Sequence, residues 1–309
     1  MEKIIVLKEN SGLRLDKFLV KEFFSLSRGD LIKYIKNELV LLNGKTTRPS
    51  QMLKECDTIS ILFSNDFSKK VLKSNKKIHL DIIYEDQNII ALNKPAGLQV
   101  HPGNKNESNT LANALLAHFP PISSVHDNSN NAWQRPGIVH RLDKNTSGIM
   151  IIAKNQTSFN ELKKLFQKRL INKKYLALVY GSLKEKNGII EKEIARSSDY
   201  KKQTIASHKT KTIIRSAVTE YKILKEYQNF SLLEVSPKTG RTHQIRVHLS
   251  SIGHPIVGDT LYRNKKYSQI ELSRQFLHAK EISFTLFDKK YLFSTPLANE
   301  LNDFLANID

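Results

Sequence analysis

Residues 136–148 have the sequence Pro-Gly-Ile-Val-His-Arg-Leu-Asp-Lys-Asn-Thr-Ser-Gly, and they carry one acidic residue, Asp143, between two short apolar runs. The runs cover 137–139 and 149–153, and turn-forming residues follow Asp143. Short runs of Ile and Val closed by Gly, Asn and Ser predict two buried strands joined by a tight loop. Asp143 would then be held on a rigid platform, although an aspartate in such a loop is more often a turn former than a nucleophile.

The chain is strongly basic. It has 309 residues, with 49 Lys and Arg against 30 Asp and Glu, a formal net charge of +19 and a pI of about 9.8. An excess of this size favours a polyanionic partner, most simply nucleic acid, and a solvated basic face is the plainer alternative. The length allows one large or two ordinary domains.

Cysteine content and hydropathy bear on the compartment. The single cysteine, Cys56, excludes an internal disulfide framework and a cysteine-based metal site. The apolar run 4–7 is ended by Lys8, so it is too short for a signal-peptide core. No run approaches the roughly 18 apolar residues that a membrane span requires. We therefore expect a soluble, reduced, cytoplasmic protein with no membrane partner.

Residues 1–65 are expected to form a small α/β domain. Apolar residues at helical spacing after Ser11 and Ser27 predict two helices, and 39–42 and 58–62 predict two strands. The residues Arg14-Leu15-Asp16-Lys17, Ser27-Arg28, 40–45 and 57–59 resemble the RNA-binding module first known from small-subunit ribosomal protein S-four. The resemblance implies RNA contacts from basic residues on the two helices: Arg14, Lys17, Arg28, Lys33 and Lys36. Solvated faces of amphipathic helices are the alternative, because the local basic excess is small.

The rest of the chain divides into a linker and a larger domain. Lysine and polar residues dominate 66–77, which predicts a linker between the two domains. Helical spacing predicts helices over 110–118 and 157–170 and one beginning near Thr242 and ending at Gly253. The polar, basic stretch 196–215 is predicted to be a flexible loop that faces RNA.

Several motifs of residues 78–309 resemble the RluA/RluD-type pseudouridine synthases. The segment 140–143 with 146–148 is similar to the family signature, 94–98 resembles its first motif, and 240–259 resembles its third motif. The resemblance extends from about residue 11 to residue 293. It implies a catalytic domain of the α+β class, with a central mixed, mainly antiparallel sheet flanked by helices.

The resemblance also implies an isomerase and the residues that act in it. Pseudouridine forms when uracil is detached at N1 and reattached through C5, with no redox change. Asp143 would be the catalytic carboxylate, either attacking covalently or taking a proton at the ribose. Arg246 would keep it ionised through a bidentate pair, and Tyr175 would stack on the base and accept the C5 proton. A phosphate contact is the alternative for Arg246, and a core position is the alternative for Tyr175.

The resemblance also implies RNA contacts for two further arginines. Arg141 would fill the gap left when the target nucleotide is flipped out. Arg241, with the backbone of Gly240 near a helix start, would bind phosphate.

The sequence favours chemistry without a cofactor. His243 and His248 lie five residues apart on different faces of a helix, with no cysteine nearby, so no metal site is expected. Neither a phosphate-binding P-loop nor a Gly-x-Gly-x-x-Gly motif occurs, so no nucleotide cofactor is expected.

Several functional alternatives remain open. We expect a monomeric enzyme that acts on large-subunit (23S) ribosomal RNA. The motifs and the leading RNA-binding domain look closer to the branch of the family that modifies this RNA than to the branch that modifies transfer RNA. Transfer RNA is the alternative substrate. A non-catalytic ribosome-assembly factor and a DNA-binding protein are weaker alternatives, and no DNA recognition-helix motif appears.

Overall fold

The computed structural model describes residues 2–23, 28–62, 72–103, 107–127, 129, 132–198, 202–263, 267, 270 and 272–308. The chain divides into two compact units. The first unit consists of Met1–Lys73 and His126–Pro136, and the second unit consists of Ser74–Val125 and Gly137–Asp309. Parts of two predicted segments lie outside the described residues, namely 66–71 of the linker and Ser27 before the second helix.

In its described residues, the first unit has a four-stranded sheet and two α-helices. Its elements are β1 Glu2–Ile5, α1 Leu15–Glu22, α2 Arg28–Lys36, β2 Val40–Leu42, β3 Lys45–Thr46 and β4 Thr58–Ile61, with sheet order β1-β4-β2-β3. Leu15, Phe18 and Leu19 of α1 share a buried core with Leu31 and Ile35 of α2 and with the sheet. The predicted helices and strands are confirmed, and β1 is an additional strand, paired with β4.

The second unit is organised around a nine-stranded sheet among the described residues. Its strands are β5 Asp81–Glu85, β6 Ile89–Lys94, β7 Ser147–Ala153, β8 Asn172–Tyr180, β9 Asn187–Glu191, β10 Ile194–Arg196, β11 Gln203–Ile205, β12 Val218–Glu226, β13 Phe230–Pro237, β14 Leu277–Leu286 and β15 Lys289–Ser294. The large sheet has the order β5-β6-β7-β14-β8-β13-β12-β9, with β15 on β14, while β10 and β11 form a separate pair. Only the β7–β14 pairing is parallel among these described strands, which confirms the mixed, mainly antiparallel sheet.

Helices cover this sheet. They are α3 Leu111–His118, α4 Gln156–Gln167, α5 Gln244–Ser251 and α6 Asn299–Ala306. Local signals explain where two of them begin: Thr110 and Asn113 form a capping box on α3, and the side chain of Asn155 accepts the Ser158 N–H at the start of α4. Burial of Phe159 and Leu162 then fixes the inner face of α4. The predicted α+β class is confirmed.

Two local predictions were wrong. Residues 137–139 do not form a strand, since Ile138 makes only an isolated bridge to Ile152. Gly137 has φ +68°, which turns the chain out of extended geometry, and its N–H bonds to the carbonyl of Val125. The basic stretch 196–215 is not simply a loop either, because it contains β11, which pairs with β10 and whose Ile205 packs against a small core with Val247 and Tyr262. Residues 199–201 of that stretch lie outside the described residues.

No helix in the described ranges is both long and apolar enough to cross a membrane.

Candidate active site

The loop that carries Asp143 is tied down on one side by the buried Lys94. The Lys94 ammonium donates to the carbonyl oxygens of Pro95, Leu98 and Lys144 at 2.6, 2.8 and 3.0 Å. Burial, and then the charge of Arg274, lower the pKa of Lys94 to about 7, and the charge of Asp143 opposes that shift. Lys94 therefore joins the turn after β6 to the residue that follows Asp143.

The other side of the loop is held by two residues just before β14. Arg274 donates to the carbonyl of Asn145 at 3.1 Å and to the hydroxyl of Ser147 at 2.9 Å. Gln275 donates to the hydroxyl of Thr146 at 3.2 Å. The backbone N–H of Thr146 also bonds to the carbonyl of Asp143 at 3.0 Å and closes a turn. Asp143 thus stands on a loop whose next four residues are each bonded to other parts of the second unit.

Arg246 reaches the Asp143 carboxylate, as expected, but with different geometry. Its Nη1 donates to Asp143 Oδ2 at 3.1 Å. The bidentate fork belongs instead to Asp259, with Nε to Oδ2 at 2.7 Å and Nη2 to Oδ1 at 2.9 Å. The expectation of a bidentate Asp143–Arg246 pair was therefore wrong, because Asp259 occupies the Nε–Nη2 edge of the guanidinium and Asp143 accepts from Nη1 alone.

The buried Asp259 anchors this arrangement. Its side chain also accepts the backbone N–H groups of Leu261 and Tyr262 at 3.0 and 3.1 Å. Burial alone would lower the pKa of Arg246, but the hydrogen bonds and charge of Asp259, followed by those of Asp143, outweigh it and raise that pKa. Arg246 is therefore a permanent cation in a fixed orientation beside Asp143.

Tyr175 lies on β8, between Val235 of β13 and Ala279 of β14 in the sheet register. Its side chain packs against the main core of the second unit. Burial raises the pKa of the Tyr175 hydroxyl, and the negative charge of Asp143 raises it further. Tyr175 thus lies within electrostatic reach of Asp143, and its hydroxyl stays protonated at neutral pH.

His243 and Tyr262 complete the surroundings of Asp143. His243 Nε2 is 3.8 Å from Asp143 Oδ2, and His243 Nδ1 is 3.0 Å from the Tyr262 hydroxyl. The guanidinium of Arg246 lies over the Tyr262 ring, 5.1 Å from its centroid. Sequence reasoning did not assign roles to His243, Asp259 or Tyr262. The run 254–259, which resembles the end of the third family motif, was the available signal for Asp259.

The two arginines expected to meet RNA lie on the second unit. Arg141 is exposed, two residues before Asp143. Arg241 donates from Nε to the carbonyl of Ser216 at 3.2 Å. Burial and the neighbouring charges of Arg215 and Arg169 lower the pKa of Arg241, so these three arginines form a cationic neighbourhood. Their contact with RNA stays a prediction.

In the first unit, a buried carboxylate organises two of the five predicted RNA-binding residues. Asp16 accepts from Arg14 at 3.1 Å to each of its oxygens, and from Arg28 Nη2 at 2.7 Å. The Arg14 hydrogen bond contributes most to lowering the pKa of Asp16 to about 2, with Arg28 adding to it against the effect of burial. Lys17, Lys33 and Lys36 are exposed on α1 and α2.

Within the described part of the chain, no group of three or more His, Cys, Asp and Glu side chains is arranged to hold a metal ion.

Comparison with known proteins agrees with this architecture. The family model described as RNA pseudouridylate synthase matches residues 88–251, and the S4 domain model matches residues 13–59. The human RNA Pseudouridylate Synthase Domain Containing 1 shares the fold, with a TM-score of 0.58 and 24% identity over 74% of this chain and 94% of its own.

Relatives cover nearly the whole chain. An RNA pseudouridine synthase of Aquifex aeolicus is 43% identical over 263 residues, 84% of this chain and 80% of the relative. The ribosomal large subunit pseudouridine synthase D of Buchnera aphidicola subsp. Acyrthosiphon pisum is 38% identical over 313 residues, 96% of this chain and 95% of the relative. The RNA pseudouridine synthase YlyB of Bacillus subtilis is 32% identical over 307 residues, 99% of this chain and 97% of the relative. The chain therefore belongs to the RNA pseudouridine synthase family of isomerases and carries an S4 domain near its N-terminus.

Proposed function

We propose that this enzyme converts uridines of large-subunit ribosomal RNA to pseudouridine, with Asp143 as the catalytic carboxylate. The observation that carries the catalytic assignment is the 3.1 Å hydrogen bond from Arg246 to Asp143. Two further hydrogen bonds from the same guanidinium to Asp259 hold Arg246 in its orientation. A fixed cation stabilises the ionised carboxylate, which is the form that can attack C1′ or take a proton from the ribose. Both routes are compatible with this contact.

Tyr175 is proposed to stack on the target uracil. An aromatic ring fixed on a strand inside the sheet offers a rigid face for a base, which suits stacking. The raised pKa of its hydroxyl argues against the expected second role as acceptor of the C5 proton, because a phenol that stays protonated is a poor base. Tyr175 would therefore hold the uracil while its N1–C1′ bond breaks and a C5–C1′ bond forms, and the proton that C5 loses balances the proton that N1 gains.

The proposed RNA contacts come from both units. Arg141 would occupy the space of the flipped nucleotide, and Arg241 would bind a phosphate in its cationic neighbourhood. On the first unit, five residues are proposed to contact RNA: Arg14, Lys17, Arg28, Lys33 and Lys36. The domain limits that we propose remain 1–65 for RNA binding, 66–77 for the linker and 78–309 for catalysis. The monomeric state and cytoplasmic location also stay predictions.

The substrate class is inferred from relatives. The Buchnera aphidicola relative is named for the large ribosomal subunit, and so is a Haemophilus influenzae relative that is 38% identical over 273 residues. The formal net charge of +19 favours a highly charged polyanion such as ribosomal RNA.

Asp143→Asn tests the catalytic assignment, because it keeps the shape of the side chain and removes its charge. The amide can neither attack the sugar nor accept a proton, so single-turnover pseudouridine formation should disappear while RNA affinity stays within a few-fold. If Asp143 only shapes the turn, Asn is among its best replacements and activity will persist. Retention of a tenth of the wild-type rate by a folded variant would exclude the assignment. Thermal unfolding must be followed in parallel, since Arg246 loses a partner.

Pseudouridine mapping tests the substrate. Cellular RNA from a strain without the gene should lack one or more pseudouridines of large-subunit ribosomal RNA, and these should return with the wild-type gene but not with the Asp143→Asn gene. Loss confined to transfer RNA would exclude the ribosomal proposal and support the transfer-RNA alternative.

A further inference from the structure

His243 is held in an unusual backbone conformation next to Asp143. It is the N-cap residue of α5 and has φ 55° and ψ 17°, in the left-handed region that residues with a Cβ rarely adopt. Its side chain makes no cap hydrogen bond to the helix. Strain of this kind persists where the surrounding structure holds a residue for another purpose. Here the result of the strained backbone is an imidazole between Tyr262 and Asp143.

The hydrogen bonds around Tyr262 favour one of the two neutral forms of the His243 imidazole. The backbone N–H of Gln203 donates to the Tyr262 hydroxyl oxygen at 2.9 Å, so that oxygen acts there as an acceptor. The hydroxyl has one proton of its own, and His243 Nδ1 lies 3.0 Å away to receive it. Nδ1 is then an acceptor, and a neutral imidazole must carry its proton on Nε2.

The protonated nitrogen is the one that faces the candidate catalytic residue. Nε2 is 3.8 Å from Asp143 Oδ2, longer than a hydrogen bond, and the same oxygen accepts from Arg246. Two donors therefore converge on Oδ2, and Oδ1 is the oxygen left to meet the ribose. Closure of less than 1 Å would complete the second hydrogen bond.

We propose that His243 is a positioning residue: its neutral Nε2–H form, selected by Tyr262, closes onto Asp143 Oδ2 when the target uridine occupies the site and directs Oδ1 at the sugar. This inference rests on the proposed catalytic role of Asp143. Burial lowers the pKa of His243, with the charges of Arg246 and Arg141 acting in the same direction and those of Asp143 and Asp259 opposing them. The neutral form thus prevails at neutral pH.

Nitrogen NMR of the full-length protein with labelled histidine tests the tautomer without any measurement of activity. The signals of His243 are assigned by their loss in His243→Asn. We expect an unprotonated Nδ1 and a protonated Nε2 in the wild type at neutral pH. In Tyr262→Phe, which keeps the ring under Arg246 but removes the hydroxyl, the tautomers should mix. A proton on Nδ1 in the wild type overturns the proposal.

A matched pair of substitutions tests the contact with Asp143. The amide of Gln can place a donor near the position of Nε2, whereas the shorter Asn can replace Nδ1 but cannot reach Asp143. Asn also tolerates the left-handed backbone better than Gln does, so backbone strain alone would favour the Asn variant. We expect His243→Asn to lose about tenfold in single-turnover rate at saturating RNA and His243→Gln to stay closer to wild type, because only Gln retains a donor to a charged acceptor. RNA affinity should change little in either variant.

The pH profile separates positioning from a merely structural role. A proton added to His243 would occupy Nδ1 and break the hydrogen bond from Tyr262 that holds the ring. It would also place a second positive charge beside Asp143, which is already ionised next to Arg246, and so weaken Asp143 as a nucleophile or base. The wild-type rate should therefore fall on the acid side, below the ordinary pKa of histidine, and this limb should be absent in His243→Gln. Equal rates and equal pH profiles for folded His243→Asn and wild type overturn the proposal. If Asp143→Asn is active, the proposed function fails; if Asp143→Asn is inactive and His243→Asn matches wild type, only the positioning role fails.

Discussion

Arg246 contacts two carboxylates with different parts of its guanidinium. Asp259 accepts from Nε and Nη2, and Asp143 accepts from Nη1. Since Asp259 is buried, loss of its partner would leave an unpaired charge inside the protein, which typically costs about 3 to 5 kcal/mol. At the residue scale, one side chain therefore supports both stability and the orientation of the candidate catalytic group.

Arg246→Lys should abolish most turnover. A lysine keeps the charge, but its single ammonium cannot hold the Asp259 fork and reach Asp143 at the same time. We expect a loss of about a hundredfold or more in single-turnover rate, corresponding to roughly 2.7 kcal/mol of transition-state stabilisation. A fall in the melting temperature should accompany it. Arg263→Lys, at an exposed arginine, is the matched control. Near wild-type turnover by Arg246→Lys would exclude a role for Arg246 in holding Asp143.

Asp16 makes the stability of the first unit depend on pH. Its pKa is lowered to about 2 in the folded protein, so the stabilisation is fully present above the ordinary value of 3.8 and is lost as the pH falls towards 2. Because Arg14 and Arg28 are partly exposed, we expect only about 1 to 2 kcal/mol. Hydrogen exchange of the α1 amides in the full chain, corrected for intrinsic rates, should show protection falling between pH 5 and pH 3. Asp16→Asn should remove this pH dependence; an unchanged dependence would mean that other groups cause it.

At the element scale, β7 is the strand that delivers the Asp143 loop to the sheet. All seven of its residues are buried, and it pairs with β6 on one side and β14 on the other. In the parallel pairing with β14, Gly148 lies opposite Ala279. A Cβ on Gly148 would be 2.2 Å from the Ala279 carbonyl oxygen, and the glycine has φ +115°. The close approach of the two backbones therefore requires glycine at this position.

Gly148→Ala should destabilise the second unit by at least about 2 kcal/mol, since it combines backbone strain with a clash against a rigid strand. Gly253→Ala is a matched control, because Gly253 has φ +89° but no atom within 4 Å of the added methyl group. The measurement is denaturant unfolding of both full-length variants. If Gly148→Ala costs no more than Gly253→Ala, then β7 and β14 separate at little cost.

At the scale of the whole molecule, the excess of positive charge should dominate RNA binding. Each lysine or arginine that neutralises a phosphate releases counterions, so affinity should fall at least about tenfold between 50 and 200 mM salt. Deletion of residues 1–65 should weaken binding to ribosomal RNA and make the affinity less dependent on salt concentration. It should also relax the choice of the uridine that is modified, while activity on a short stem-loop persists. Titrations of both proteins with the same RNA test this. A flat salt dependence, or unchanged affinity and site choice after the deletion, would contradict the proposed division of labour.

Local patterns in the sequence were sufficient for most of the elements and for placing Asp143 on a loop that leads into a buried strand. Apolar spacing predicted α3, α4 and α5 to within a few residues, because that pattern is read over one or two helical turns. The motif around Asp143 and the similarity of the third motif led to the family and to the α+β class, and both are confirmed. The prediction of a strand over 137–139 was wrong because a hydrogen bond to the carbonyl of Val125 holds the chain in a turn at Gly137.

Only the tertiary structure decided how the site is assembled. Asp143 and Arg246 are 103 residues apart in the chain, and nothing in their spacing indicates which guanidinium edge faces which carboxylate. The fork on Asp259, the three carbonyls around Lys94 and the placement of His243 between Tyr262 and Asp143 all depend on where separate strands and turns meet in the second unit. Residue types specify which interactions are possible, whereas hydrogen-bond distances and directions are set by packing, because the bonds form only over a few tenths of an ångström and a narrow range of angles.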